Sequence, residues 1–234
     1  MNILILSATK LEVASLVEVL GKPFFTDEKL SSFRFGKLRI DLLISGIGMV
    51  AKAFWLGKYL SAKNYDFALN TGIAGSFVNE ISIGEVMNVS TDQFSEIGAL
   101  TPNGFLSATD LNFNDFENFP FQSGLLINST DFEKYGLQNL KQVTGITSNT
   151  IHGEINSISA VAERFHPDVE TMGGAAFLYC SHSEKIPCAQ IRAISNFVEV
   201  RDKSRWNIPL AVKNLTTTTL EILDYLNKTN LENE

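Results

Sequence analysis

Strands and helices alternate over the first 75 residues, and this alternation limits the possible folds more than any other feature of the sequence. Short apolar runs predict the strands, and apolar residues at helical spacing predict the helices between them. The predicted elements are strands over residues 2–6, 38–44 and 67–70 and helices over 10–20 and 50–62. Glycine-rich segments, predicted to be turns, follow two of these strands at 45–48 and 71–75. The pattern predicts an α/β fold around a largely parallel sheet.

The rest of the chain continues the same domain, which we expect to span residues 1–234. No repeat or linker divides the sequence, and a hydrophobic content of 44% is enough for one core. An acidic, aromatic segment at 110–121 is predicted to be a covering loop. The predicted later elements are helices over 156–164, 174–183 and 208–227, a strand over 189–195, and a frayed polar tail over 229–234.

The charge balance and the cysteines exclude several classes of function for this protein. A formal net charge of −7 argues against binding to nucleic acid or to an anionic membrane, because both need an excess of Lys and Arg. The apolar runs are far shorter than the roughly 20 residues of a membrane-spanning helix, and the first strand lacks the basic start of a signal peptide. Cys180 and Cys188 match no metal-binding pattern, so buried thiols are expected. We therefore expect a cytoplasmic protein.

Glu12 follows the first predicted strand and has two interpretations. Ligands of open α/β sheets bind beyond the carboxyl ends of the strands, but neither GxGxxG nor a Walker phosphate loop occurs there. Thr9-x-x-Glu12 matches a capping box, in which the glutamate returns to the start of its helix. Alternatively, a carboxylate at the mouth of this strand can take a proton from water.

Asn196 follows the predicted strand at 189–195 and also has two interpretations. An asparagine in this place is most often a turn residue. Its amide can instead donate a hydrogen bond to a ligand and hold a leaving group.

Five ordered motifs resemble the nucleoside phosphorylase and nucleosidase superfamily. They are SATKLE at 7–12, SGIGMVAKA at 45–53, NTGIAGSF at 70–77, VETMGGAAF at 169–177 and QIRAISNFVE at 190–199. The segment at 192–215 is most similar to the futalosine hydrolases, which remove hypoxanthine from futalosine in an alternative route to menaquinone. The methylthioadenosine/S-adenosylhomocysteine nucleosidases are the next most similar. The resemblance implies a three-layer α/β/α sandwich around a central mixed, largely parallel sheet, a homodimer, and hydrolysis of a small-molecule nucleoside without metal or cofactor.

The resemblance also assigns roles to individual residues. Glu12 matches the glutamate that activates the attacking water, and Asn196 stands where the methylthioadenosine relatives carry an aspartate that assists protonation of the purine. An asparagine facing the amine of adenine would leave a donor unpaired, at a cost of about 1–3 kcal/mol, so Asn196 favours a 6-oxopurine such as hypoxanthine. The substrate contacts that the resemblance implies are Ala74, Gly75, Ile151, His152, Met172, Ser195 and Phe197, with Arg201 and Arg205 for the carboxyphenyl end of futalosine.

Gly173 departs from the superfamily pattern. Where Met172 is followed by Gly173, the superfamily has Met-Glu, and that glutamate accepts hydrogen bonds from the ribose hydroxyls. Losing a charged acceptor costs roughly 1.5–3 kcal/mol. Three explanations stay open: the substitution impairs turnover, Glu170 replaces the missing carboxylate, or the ligand lacks a ribose diol. We expect reduced activity with retained binding.

Water is the expected nucleophile. The phosphorylases of the superfamily carry an arginine just before the glycine turn, and this chain has Asn70 there. Without guanidinium partners a phosphate ion loses much of its charge-assisted recognition. The alternatives left open are a futalosine hydrolase, a methylthioadenosine/S-adenosylhomocysteine nucleosidase, and a nucleoside-binding protein with little catalysis.

Overall fold

The structure, a computed structural model, describes the backbone of residues 1–232 and the side chains of residues 1–229. The strands are β1 (Asn2–Ser7), β2 (Phe25–Thr26), β3 (Leu30–Phe35), β4 (Leu38–Ile44), β5 (Phe67–Ser76), β6 (Val86–Phe94), β7 (Gly98–Thr101), β8 (Gly104–Ser107), β9 (Leu126–Ile127), β10 (Gln142–Thr147), β11 (Val169–Thr171) and β12 (Cys188–Phe197). The helices are α1 (Ala14–Leu20), α2 (Met49–Leu60), α3 (Ile155–Phe165), α4 (Gly174–Ser183) and α5 (Ile208–Glu232).

The main sheet is mixed and runs in the order β11-β10-β6-β12-β5-β1-β4-β3-β2. At its centre β1 pairs in parallel with β4 and β5, and β5 pairs in parallel with β12. Antiparallel pairs, β12 with β6 and β3 with β4, flank this centre. The expected mixed α/β sheet is confirmed, and β7 and β8 form a separate hairpin.

Helices cover both faces of the sheet. Successive side chains of a strand point to opposite faces of the sheet, so alternate residues of β1 pack against the helices on opposite faces. Ile3 and Ile5 lie in a buried cluster with residues of α1 and α5. Leu4 and Leu6 lie in a second cluster with residues of α2 and α4. These two apolar layers confirm the α/β/α sandwich.

Five strands close into a ring beside the sheet centre. Strand β11 pairs in parallel with β10 and also antiparallel with β5, through Glu170 opposite Gly75. Strand β12 places Asn196 opposite the same glycine. The last two residues of β5, Gly75 and Ser76, are therefore paired on both sides, which brings Asn196 and Glu170 to one place.

The turn predicted at 71–75 is wrong, because these residues belong to β5. Their glycines reflect close approaches inside a strand rather than a change of chain direction. A Cβ on Gly72 would lie 2.9 Å from Glu12 Oε1, and one on Gly75 would lie 2.9 Å from Val198 Cγ2. Side chains therefore reach the strand backbone at both positions.

The segment 110–121 packs on α4. Phe116 and Phe121 stack with ring centroids 4.5 Å apart, and Phe121 contacts Tyr179 of α4 at 5.6 Å between centroids. The loop thus covers the apolar layer under that helix.

The polar tail is helical through residue 232. Thr229 Oγ1 donates to the Tyr225 carbonyl at 3.1 Å, which ties the last turns of α5 together against the expected fraying. Residues 233 and 234 lie outside the described residues. None of the helices in the described part of the chain has the length and apolarity to cross a bilayer.

Candidate active site

A cavity of about 270 Å³ opens at the carboxyl ends of β1, β5 and β12, beside the N-terminus of α4. It brings together most of the residues proposed from the sequence. Those that line it are Glu12, Ala74, Gly75, Ile151, Met172, Gly173, Ser195 and Asn196. The lining does not include His152 and Phe197.

Glu12 is a buried carboxylate whose two oxygens have different partners. Oε2 accepts hydrogen bonds from the backbone N–H and the hydroxyl of Thr9, both at 2.9 Å, and from Ser7 Oγ at 3.2 Å. Oε1 accepts from the Ile73 backbone N–H at 3.2 Å. The bond to the Thr9 N–H is the glutamate half of a capping box. Oε1 can accept a further hydrogen bond at the cavity wall. The geometry of this side chain therefore agrees both with a capping box and with a base that takes a proton from water.

Arg192 places a buried cation near Glu12. Its guanidinium donates to the Asn70 carbonyl at 3.0 Å, to the Ile191 carbonyl at 2.8 Å and to Gln190 Oε1 at 2.8 Å. Burial lowers the pKa of Arg192 to about 10, against the opposing charges of Glu12 and Asp92. The cation is thus fixed by neutral acceptors, and its charge and that of Glu12 offset each other in a low-dielectric site.

Asn196 lies on a β-bulge of β12. The register against β5 shifts between Ile194 and Asn196, and a bulge of this kind re-aims side chains. Ser195 Oγ donates to Asn196 Oδ1 at 2.7 Å, and Asn196 Nδ2 donates to the Phe197 carbonyl at 2.9 Å. These bonds hold the amide plane. Because an amide NH₂ carries two hydrogens, a second donor is left for a ligand.

Gly173 is the N-cap residue of α4, and the space above it holds the stem of Lys52 from α2. A Cβ on Gly173 would lie 3.0 Å from Lys52 Cε and 3.1 Å from Lys52 Cδ. The Lys52 ammonium donates to Asn70 Oδ1 at 3.1 Å. Burial lowers the pKa of Lys52 to about 7, and the charge of Arg192 acts in the same direction.

Glu170 is bound to His152. Its Oε1 accepts from the His152 backbone N–H at 3.1 Å, and its Oε2 is paired with His152 Nδ1. The hydrogen bond to Glu170 raises the pKa of His152, against the effect of burial. Both carboxylate oxygens are therefore engaged, and the pair fastens the loop that carries Ile151 to the cavity wall.

The two arginines expected at the far end of the substrate lie outside the lining. Arg201 stands over the ring of Trp206, 5.2 Å from its centroid, and it is Trp206 that reaches the cavity. Arg205 pairs with Glu199 at 2.6 Å.

Comparison with known proteins assigns the chain to a family. Residues 2–224 match the profile of the Phosphorylase superfamily, which is nearly the whole chain. The chain belongs to this superfamily.

Its curated relatives include futalosine hydrolases. The chain is 29% identical to futalosine hydrolase of Thermus thermophilus, with 94% of each chain covered, and 30% identical to that of Streptomyces coelicolor, with 75% of each covered. Among solved structures, methylthioadenosine/S-adenosylhomocysteine nucleosidase of Colwellia psychrerythraea, in complex with adenine, superposes with a TM-score of 0.79 at 21% identity and covers 96% of this chain and 95% of that one. These likenesses confirm the resemblance to the superfamily and its fold.

Several residues of this superfamily member were missed by sequence reasoning. Lys52, Arg192 and Trp206 line the cavity, and none of them was assigned a place there. Arg192 and Lys52 lie inside motifs that resemble the superfamily. Each is a charged residue among small or apolar neighbours, and this pattern could have indicated a place in the site. The local sequence around Trp206 gave no comparable signal.

Proposed function

We propose that the chain is a purine nucleosidase that hydrolyses the N-ribosidic bond of futalosine and releases hypoxanthine, in the alternative route to menaquinone. The proposal rests on one observation: Glu12 and Asn196 line the same cavity, and their side chains have different chemistry. One offers a carboxylate oxygen that can take a proton, and the other offers an amide donor. The futalosine hydrolase relatives support the choice of substrate.

The proposed reaction divides between these two side chains. Glu12 takes a proton from water, whose oxygen bonds to the anomeric carbon as the bond from that carbon to the base nitrogen breaks. Asn196 donates a hydrogen bond from its second N–H to the departing base. The base takes a proton from solvent and leaves as neutral hypoxanthine, and Glu12 returns the proton it took to solvent, so that one water is consumed. Hydrogen bonds from Ser7, Thr9 and Ile73 hold the Glu12 carboxylate in place before the substrate arrives, so little reorganisation is needed during the reaction.

Asn196 is also the reason to prefer futalosine over methylthioadenosine. Ser195 and the Phe197 carbonyl orient the amide so that its NH₂ edge is the donor. A 6-oxopurine supplies the acceptor for this donor, whereas the adenine amine supplies a second donor.

Chromatographic detection of released base tests the proposal. The chain is incubated with futalosine, inosine or methylthioadenosine, with and without phosphate, beside Gly173→Glu. We expect hypoxanthine from futalosine at a rate independent of phosphate and higher in the variant. Failure of both proteins to release base from any of the three would contradict the catalytic proposal.

A second candidate function, nucleoside binding with little catalysis, is favoured by Gly173. No carboxylate stands at this position, and Glu170 is engaged with His152. Tight binding of inosine by calorimetry, without base release, would support this candidate.

We also propose that the chain acts in the cytoplasm as a homodimer. Ile47, Val50 and Phe54 lie at or near the start of α2 and are 60%, 80% and 62% exposed. Apolar side chains grouped on one face are typical of protein interfaces. Analytical ultracentrifugation should show a dimer, and Val50→Glu should shift it to a monomer.

A further inference from the structure

Lys52 is a buried cation in the wall of the cavity, and the proposed mechanism has not used it. The residue is 4% exposed and lines the cavity together with Gly173. Among the described residues, the hydrogen bond to Asn70 Oδ1 is the one its ammonium makes. An ammonium group has three donors, so this bond leaves two of its hydrogens without a partner among the described residues.

The position of Lys52 identifies which part of a nucleoside it would meet. Lys52 Nζ and Arg192 Nη1 bind the side chain and the carbonyl of the same residue, Asn70. A Cβ on Gly72 would lie 3.5 Å from Arg192 Nη1 and 2.9 Å from Glu12 Oε1, so Lys52 lies on the Glu12 side of the cavity. If Glu12 activates water at the anomeric carbon, the sugar occupies this side and the base lies toward Asn196. The missing side chain of Gly173 leaves the Lys52 stem as the wall there.

We propose that Lys52 is the sugar-binding residue of this site and that its ammonium donates hydrogen bonds to the 2′ and 3′ oxygens of a ribonucleoside. This inference rests on the proposed nucleoside ligand and names the residue that selects its sugar. A carboxylate would recognise the hydroxyls through their hydrogens, whereas Lys52 recognises their oxygens as acceptors.

Calorimetric binding to matched ligands tests the inference. The ligands are inosine, 2′,3′-dideoxyinosine and hypoxanthine, and the variant is Lys52→Met, which keeps the length of the side chain and removes the ammonium. Hydrogen bonds to a charged group predict about a tenfold or greater loss of inosine affinity in the variant. Affinities for dideoxyinosine and hypoxanthine should change less than about twofold, because these ligands lack the two oxygens. Lys58→Met, on the same helix and outside the cavity lining, serves as the control for loss of a positive charge.

The unchanged chain provides a second measurement should Lys52→Met fail to fold. Because the pKa of Lys52 lies at about 7, the ratio of inosine to dideoxyinosine affinity should fall as the pH rises from 6 to 8.5. The charges of Glu12, Arg192 and Asp92 also act on the Lys52 ammonium. Their effects on the binding of any nucleoside change both affinities alike, so the ratio to the dideoxyinosine affinity corrects for them.

The outcomes separate this inference from the proposed function. If Lys52→Met weakens all three ligands equally, or weakens none, or if the affinity ratio does not depend on pH, the sugar-binding role is wrong even where futalosine is hydrolysed. If the variant loses affinity for inosine alone while no base is released from futalosine, Lys52 binds the sugar and the catalytic proposal fails.

Discussion

Replacing Glu12 by Gln separates the proposed catalytic role of this residue from its capping role. The amide keeps the shape of the side chain but cannot take a proton from water. If its oxygen stays with Ser7 and Thr9, its NH₂ faces the Ile73 N–H, which now donates to Oε1 at 3.2 Å. Two donors would then meet in a buried place.

The structure sets the size of both effects. A buried donor left without an acceptor costs about 1–3 kcal/mol, which lowers the Tm of a chain of this size by roughly 2–12 °C. Loss of a general base costs about 10²–10⁴-fold in rate. The variant should therefore remain folded at 25 °C while its rate falls by at least a hundredfold.

The assay is hypoxanthine release from futalosine at 25 °C, with thermal melting recorded on the same samples. Glu18→Gln changes an exposed glutamate of α1 and should match the unchanged chain in both measurements. A Glu12→Gln variant that melts earlier but keeps its rate within tenfold would refute the catalytic reasoning and leave Glu12 as a capping residue.

Three further variants test other parts of the site. Asn196→Asp should shift the ratio of kcat/KM toward adenine nucleosides by about tenfold, because the carboxylate accepts from the amine; an unchanged ratio in base-release assays would contradict the role of the amide. Gly173→Glu combined with Lys52→Ala should turn over futalosine more slowly than Gly173→Glu alone, because the double variant lacks the ammonium proposed to bind the sugar oxygens; an equal or higher rate in the same assay would contradict that role. The raised pKa of His152 means that its bond to Glu170 stabilises the fold most below pH 6.5 and less as the pH rises through the folded-state pKa, so Glu170→Gln should lower the Tm more at pH 6 than at pH 9. A Tm loss equal at both pH values would show that the ion pair does not contribute.

The central elements of the fold could be predicted because each has its own hydrophobic pattern. Strand β4 and helix α4 have the predicted bounds, 38–44 and 174–183. The sequence predicts too short a strand for β5, because glycines usually indicate turns. The approach of Glu12 and Val198 to the β5 backbone explains why its glycines are strand residues.

The site could be predicted only in part, for a physical reason. Glu12 follows β1 and Asn196 lies near the end of β12, where a ligand is expected, and both line the cavity. Lys52 lies in a helix, and a lysine there is usually solvent-exposed. Its burial depends on the absence of a side chain at Gly173, more than a hundred positions away, which periodicity cannot reveal. The pairing of Glu170 with His152 likewise arises from tertiary structure.

The closure of β5 against both β11 and β12 restricts how molecules come and go. Gly75 is bonded to the strands that carry Glu170 and Asn196, so the walls on these two sides cannot separate without breaking sheet hydrogen bonds. Ile151 and Trp206, which also line the cavity, lie on connecting segments instead. The backbone amides of these two connecting segments should therefore exchange with solvent much faster than those of β5.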